Sequence, residues 1–267
     1  MQFSIVIPVY NEAGNVAPLV AEISRAMEGA GAFEIICVDD GSDDATGCEL
    51  RGLRRNWPAL RVLRHRRRSG QSGALLSGVR AAHAPWIITL DGDGQNDPAD
   101  IPLLIARLGI RDPLTQPRML IGYRTERRDS ALRRWSSRVA NAVRSRLLQD
   151  ATPDTGCGLK LFPRDAFLSL PAFDHMHRFI PALMQRQGVA VESIPVRHRP
   201  RCRGTSKYGL HDRLWIGLVD MAGVMWLQRR RLDRPLAADG RLAQLGDALG
   251  VHWLQRRPCA TAPEEEL

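Results

Sequence analysis

FSIVIPVYNEAGNVAPLVAEISRAMEGAGAFEIICVDDG, residues 3–41, decides the fold class. Its ends, FSIVIPV (3–9) and FEIICV (33–38), are short β-branched runs, and between them Val16, Leu19, Val20 and Ile23 recur at helical spacing. That is one β-α-β unit. Helical stretches near 43–55 and over 70–83 lead in turn to LRVLRH (60–65) and WIITL (86–90), so the alternation continues and predicts a mostly parallel α/β sheet flanked by helices. Such sheets bind ligands beyond the carboxyl ends of their strands. There stand Pro8 and Tyr10, Asp39 and Asp40, and Asp91 and Asp93.

Further on, MLIGYR (119–124) predicts a strand, 130–148 an Arg-rich helix, GLKLF (158–162) a short strand, 175–187 a helix and VAVESIPVRH (189–198) a strand. The basic loop RPRCRGTSKYG (199–209) follows. We divide the chain into a main domain over 1–210, an amphipathic helix over 211–231 and a tail of unassigned role over 232–267.

Lys and Arg number 38 against 29 Asp and Glu, a formal charge of +9, so anionic partners are favoured: nucleic acid, acidic lipid or phosphorylated ligands. Five scattered cysteines without C-x-x-C spacing point to neither a disulfide framework nor a zinc site, and fit a reducing cytoplasmic setting. The first residues, MQFSIVIPVY, read as a strand rather than a signal peptide. No apolar stretch reaches the roughly 18 residues that span a bilayer.

TLDGDGQNDP (89–98) places Asp91 and Asp93 two apart, with Gln95 next in the alternation. Alternate residues of an extended chain share a face, so both carboxylates and the Gln95 amide oxygen can converge on one hard divalent cation, which in turn can grip a diphosphate.

IPVYNE (7–12), VDDGSDDAT (38–46) and LDGDGQ (90–95) together resemble, in order, the motifs of inverting family 2 glycosyltransferases, and most of all their polyprenyl-phosphate branch. The resemblance runs from residue 3 to about 231 and implies a GT-A fold with one metal, Mg²⁺ or Mn²⁺, on Asp91, Asp93 and Gln95. It implies a nucleotide-sugar site formed by Pro8, Tyr10, Glu12, Val38, Asp40, Asp91, Gly92 and Asp93, with Arg124 of GYR on a phosphate. The family's D-A-D-L-Q stands here as D-G-D-G-Q, whose glycines keep the ligands but are expected to loosen the backbone. RRWSSRVAN (133–141) resembles the acceptor side and aligns Arg133, Ser137 and Arg138 with the acceptor phosphate. DTGCGLKLF (154–162) puts Asp154 near the reacting centre, to orient or deprotonate the acceptor or simply to brace the strand. The loop R-x-x-G-x-S-K supplies Arg201 and Lys207 to the donor diphosphate.

In RLWIGLVDMAGVMWLQ (213–228), Arg213, Gly217 and Asp220 form one helical stripe; Leu214, Leu218, Met221 and Met225 form an apolar one beside Trp215, Val219, Ala222 and Trp226. Arg229, Arg230 and Arg231 follow, which suits a helix lying at an anionic membrane surface. The expected activity is transfer of one sugar, from GDP-mannose or a UDP-hexose, to a polyprenyl phosphate, by an enzyme peripheral to the cytoplasmic side of the cell membrane and able to use a membrane-protein partner. The rivals are a family member acting on a soluble or polysaccharide acceptor, and a non-enzymatic basic module. Polysaccharide synthases carry Q-x-x-R-W, whereas RRW at 133–135 lacks the Gln; no nucleic-acid-binding motif is visible.

Overall fold

A computed structural model describes residues 1–109, 111–124, 144–148, 150, 152–200 and 210–230, the backbone alone over 210–216. Two compact units are distinguished, Met1–Arg231 and Leu232–Leu267, the second outside the described residues.

Seven strands form one sheet in the order β3-β2-β1-β4-β6-β5-β7: β1 Phe3–Val9, β2 Phe33–Asp39, β3 Leu60–Arg64, β4 Trp86–Thr89, β5 Arg118–Arg124, β6 Lys160–Pro163 and β7 Ala190–Val196. Only β6 runs against its neighbours β4 and β5; every other pairing is parallel. Helices α1 (Val16–Ala26), α2 (Thr46–Leu53) and α3 (Gly70–Ala81) are the crossovers expected from the sequence. Helix α4 (Ile101–Leu108) was not anticipated, although Asp97 accepts a hydrogen bond from the Ala99 N–H and Pro98 opens the turn before it, which are ordinary helix-start signals. Short helices α5 (Arg164–Leu168) and α6 (Ile180–Arg186) follow β6, and α7 (Leu210–Arg229) ends the described chain. Of the Arg-rich helix expected over 130–148, only 144–148 is described, and it is helical.

Strand alternation divides the core. Ile5, Ile7, Ile35, Cys37 and Ile88 point to one face and pack with α1, α2 and α4 through Val16, Leu19, Ile23, Leu50 and Leu104. Val6, Ile36, Val38 and Ile87 point to the other and pack with Leu75, Val79, Phe167, Ile180 and Val224. Gly78 lets α3 lie against β1, since a Cβ there would run into Val6 and come within 3.1 Å of Val38.

The last helix departs from the stripes expected of it. Asp220, assigned to a polar stripe, turns inward, where a carboxylate oxygen lies 3.4 Å from His175 Nδ1. Val224 is buried and Met221 and Met225 are half-buried against the body, whereas Leu218, Val219 and Trp226 are exposed, at 52%, 67% and 60%. The helix is held by its need to bury Val224 and by Arg186, which donates to the Leu227 and Arg230 carbonyls at its C-terminal end. Over 217–226 its outward face is therefore the apolar one.

Candidate active site

The carboxyl ends of β1 and β2 are laced together by short polar side chains. Asn11, in the left-handed region at φ 54°, exchanges hydrogen bonds with Asp43, and its N–H donates to Ser42 Oγ at 3.0 Å. The Glu12 N–H donates to Thr46 Oγ1, and Glu49 accepts from the Gly14 and Ala17 N–H groups, satisfying donors at the start of α1. Tyr10 lies on the rim with the Arg68 guanidinium 4.3 Å above its ring, an arginine the sequence reading passed over. Asp39 is buried, accepts from the Ser42 N–H and pairs with Arg64.

Two of the expected nucleotide contacts, Val38 and Asp40, are buried at the end of β2. The Val38 side chain is fully buried beneath α3, because β2 alternates and Val38 falls on the core face. Asp40 is 3% exposed, and both its oxygens accept hydrogen bonds from the β3–α3 connection.

After β4, Asp91 and Asp93 emerge together. Gly92 does not loosen this turn: it is buried, and a Cβ would lie 2.7 Å from Val9 Cγ1 and 3.1 Å from the Pro8 carbonyl oxygen, so the turn is clamped onto the end of β1. Gly94 adopts φ 72°, which favours glycine, and the Gln95 N–H then closes back on Asp93 Oδ1. Burial and the neighbouring Asp93 charge push the Asp91 carboxyl up to about 6, against the pull of Lys160, Arg124 and a hydrogen bond from Gln71. A divalent cation fits such a pair, since it would relieve both penalties. Among the described residues no group of three or more His, Cys, Asp or Glu side chains gathers to hold a metal, so a cation here would take its remaining ligands from solvent or a diphosphate. The Gln95 side-chain nitrogen lies 3.4 Å from His198 Nε2, which leaves Oε1 as the atom it could offer.

Behind the pair lies a buried charge cluster. Arg124, at the end of β5, grips Asp154 with Nε on Oδ2 at 2.6 Å and Nη2 on Oδ1 at 2.8 Å. Lys160 is buried at the start of β6, donates to the Cys157 carbonyl, and has its pKa lowered by burial, with Cys157, Asp91 and Asp154 opposing. The sequence reading placed this lysine in a strand without a role. Gly158 is obligatory: a Cβ would overlap the Asp91 carboxylate and the Asn96 side-chain oxygen. Cys157 is buried, as expected of a packing residue.

Beyond β7 the chain is latched to the D-G-D-G-Q turn. Arg199 donates to Asp97 at 2.7 Å and Glu22 at 2.6 Å, its N–H reaches the Gln95 carbonyl, and Arg197 is paired with Asp100. A cleft of about 230 Å³ opens there, lined by Gly14, Asn15, Pro18, Leu19, Glu22, Asp93, Gly94 and Arg199. Arg133, Ser137, Arg138, Arg201 and Lys207 lie outside the described residues.

Residues 4–170 match the family described as glycosyl transferase family 2. Dodecaprenyl-phosphate galacturonate synthase of Rhizobium johnstonii is 36% identical over 236 residues, covering 86% of this chain and 68% of that protein. Undecaprenyl-phosphate 4-deoxy-4-formamido-L-arabinose transferase of Pseudomonas aeruginosa is 36% identical over 208 residues, 77% of this chain and 60% of that protein. The chain thus spans about two thirds of the first relative's length and three fifths of the second's. In fold it resembles glucosyl-3-phosphoglycerate synthase from Mycobacterium tuberculosis, solved with Mn²⁺, uridine diphosphate and phosphoglyceric acid, with a TM-score of 0.62 at 18% identity over 87% of this chain and 80% of that one. The sheet and its flanking helices are of the GT-A type, and by sequence the chain belongs to glycosyl transferase family 2.

Proposed function

We propose that this chain transfers one sugar, with inversion, from a nucleotide sugar to a polyprenyl phosphate. The observation that carries the reading is the paired carboxylates of Asp91 and Asp93, clamped at the sheet's carboxyl edge beside the cationic Arg124 and Lys160. The names of both relatives support the acceptor class.

When bound by Asp91 and Asp93, with Gln95 Oε1 as a further ligand, Mg²⁺ or Mn²⁺ would stabilise the departing nucleoside diphosphate. Tyr10 and Glu12, on the rim formed by the β1–α1 connection, hold the nucleoside, and the Pro8 carbonyl and Gly92 form the floor beneath it. Arg133, Ser137 and Arg138 hold the acceptor phosphate for in-line attack, while Arg201 and Lys207 reach the donor diphosphate from the loop that starts beside Gln95. A phosphate monoester is already ionised near neutral pH, so no base is required. Asp154 accordingly serves by aiming Arg124 at a phosphate, its two oxygens being engaged by that guanidinium.

The outward face of α7 lies on the cytoplasmic surface of the cell membrane. Leu218, Val219, Ala222 and Trp226 are exposed on one side of the helix and run into the exposed Arg229 and Arg230, a pattern suited to the boundary between acyl chains and anionic head groups. No described helix is long and apolar enough to cross a bilayer.

The test is a panel of nucleotide sugars, UDP- and GDP-linked hexoses together with galacturonate and 4-formamido-arabinose donors, incubated with undecaprenyl phosphate and Mn²⁺, with products identified by mass spectrometry. One glycosylated lipid phosphate is expected. Transfer to a soluble acceptor instead would defeat the reading of the acceptor.

A further inference from the structure

The first turn of α3 holds three separate segments by three consecutive residues. The Gly70 N–H, and that of Ser69 before it, donate to the Asp40 carboxylate at 2.8 Å each. The Gln71 side-chain amide donates to Asp91 Oδ1 at 2.9 Å. Ser72 Oγ pairs with His177 Nδ1 at 2.8 Å and accepts the His177 N–H. Burial, with the Lys160 charge behind it, pushes the His177 pKa down to about 3, so this imidazole is neutral and its Nδ1 accepts the Ser72 proton.

Ser69 stands at the N-cap of α3 but makes no side-chain cap bond, so those backbone donors depend on Asp40, reaching across from the end of β2. A carboxylate at that position also suits the positive end of the helix. A second strut fixes the helix from the side. His65 Nδ1 lies 2.7 Å from Asp40 Oδ1 and Nε2 lies 2.9 Å from Ser77 Oγ; since a carboxylate only accepts, Nδ1 donates to Asp40. Two acidic motifs far apart in sequence, VDDGSDD and LDGDG, are thereby joined through the start of α3 by three hydrogen bonds, two onto Asp40 and one onto Asp91.

We propose that Gln71 is a positioning residue for the cation-binding carboxylate Asp91, and that Asp40 acts on the cation site through Gln71 by fixing the start of α3. The inference rests on the cation reading of Asp91 and Asp93 given above. With its Oδ1 tethered by Gln71 and its other side fitted against the space left by Gly158, Asp91 has one orientation to offer a ligand. Partners of this kind set ligand orientation and affect metal affinity by about 10–100-fold.

The experiment measures Mn²⁺ binding in the presence of UDP or GDP, and nucleotide binding without metal, by calorimetry and by electron paramagnetic resonance of Mn²⁺, on the full chain and on Q71L, D40N and the double variant. Q71L and D40N are each expected to weaken Mn²⁺ binding about 10-fold or more, and Q71L to leave metal-free nucleotide affinity unchanged. The double variant is expected to be no worse than the weaker single, because both act along one path. Thermal midpoints taken in parallel separate this from general loosening, which would lower the midpoint without moving Mn²⁺ affinity. Gln71 is exposed, so Q71L folds whatever D40N does, and its Mn²⁺ affinity alone decides the first half of the proposal. Unchanged Mn²⁺ binding in Q71L overturns it; additive losses in the double variant overturn the part played by Asp40. Nucleotide binding by the unaltered protein that is indifferent to Mn²⁺ would instead sink the cation reading itself.

Discussion

Arg124 and Asp154 are joined at two points, Nε to Oδ2 and Nη2 to Oδ1, and tie the end of β5 to the turn before β6 directly behind the D-G-D-G-Q turn. The Asp154 side chain is 8% exposed and that of Arg124 21%. Removing one partner of such a buried pair strands the other charge, at a cost of about 3–5 kcal/mol. We expect D154A and R124A each to lose stability on that scale in urea unfolding, and the double variant to lose less than their sum. R124K, which keeps the charge but not the fork, is expected to lower transfer more than it lowers stability. Additive losses would show that the two residues work independently.

D91N and D93N are each expected to reduce sugar transfer about 100-fold, equivalent to about 2.7 kcal/mol of transition-state stabilisation, while the urea midpoint stays the same or rises. A rise is reasonable because burial, together with repulsion from Asp93, pushes the Asp91 carboxyl up to about 6, and removing either charge relieves part of that cost to the fold. Full activity in both variants would remove these acids from the chemistry.

G158A tests the fit of Asp91 without altering any charged group. The added methyl would overlap the Asp91 carboxylate and Asn96, so transfer should fall at least 10-fold, along with a stability loss of about 1–3 kcal/mol from overpacking. G78A should show the same loss of stability, through Val6 and Val38, with a smaller loss of transfer by the folded fraction. Equal loss of transfer in the two variants would contradict this assignment.

Glu34 sits at the opposite end of the sheet. Burial disfavours its charge, but hydrogen bonds from the Ser4 hydroxyl, the His83 N–H and Arg61 outweigh burial and hold its pKa below the usual 4.5. A carboxyl lowered in the fold stabilises fully above its unfolded value, and that stability drains away as pH falls through the folded one. Unfolding free energy should therefore fall more steeply with acid below about pH 4.5 in the natural protein than in E34Q. Parallel curves would contradict the linkage.

V219E and W226E place charge on the outward face of α7, away from the buried Val224. Both should release the protein from vesicles containing anionic phospholipid and leave nucleotide binding intact. Retained sedimentation with vesicles would mean that another surface makes the contact.

The sequence by itself determined the alternation of strand and helix, the mostly parallel sheet, and the acidic turns at its carboxyl edge. β-branched runs and helical spacing are local signals, and D-G-D-G-Q and V-D-D-G-S mark where chains turn between them. Even α4 has a local signal, in the Asp97–Pro98 start ahead of IPLLIARL. Tertiary structure alone decided which partner each of those acids has. Val38 and Asp40 are two apart, as Asp91 and Asp93 are, yet the first is in the core, the second anchors a helix, Asp91 is tethered by Gln71 and Asp93 lines a cleft. Likewise the charge pattern of α7 could not say that Asp220 would turn toward His175 and leave Trp226 outside. Local propensity reaches only a few residues along the chain, whereas burial and hydrogen-bond partnership are set by what packs from elsewhere, as Ser69, Gly70 and Gln71 do between Asp40 and Asp91.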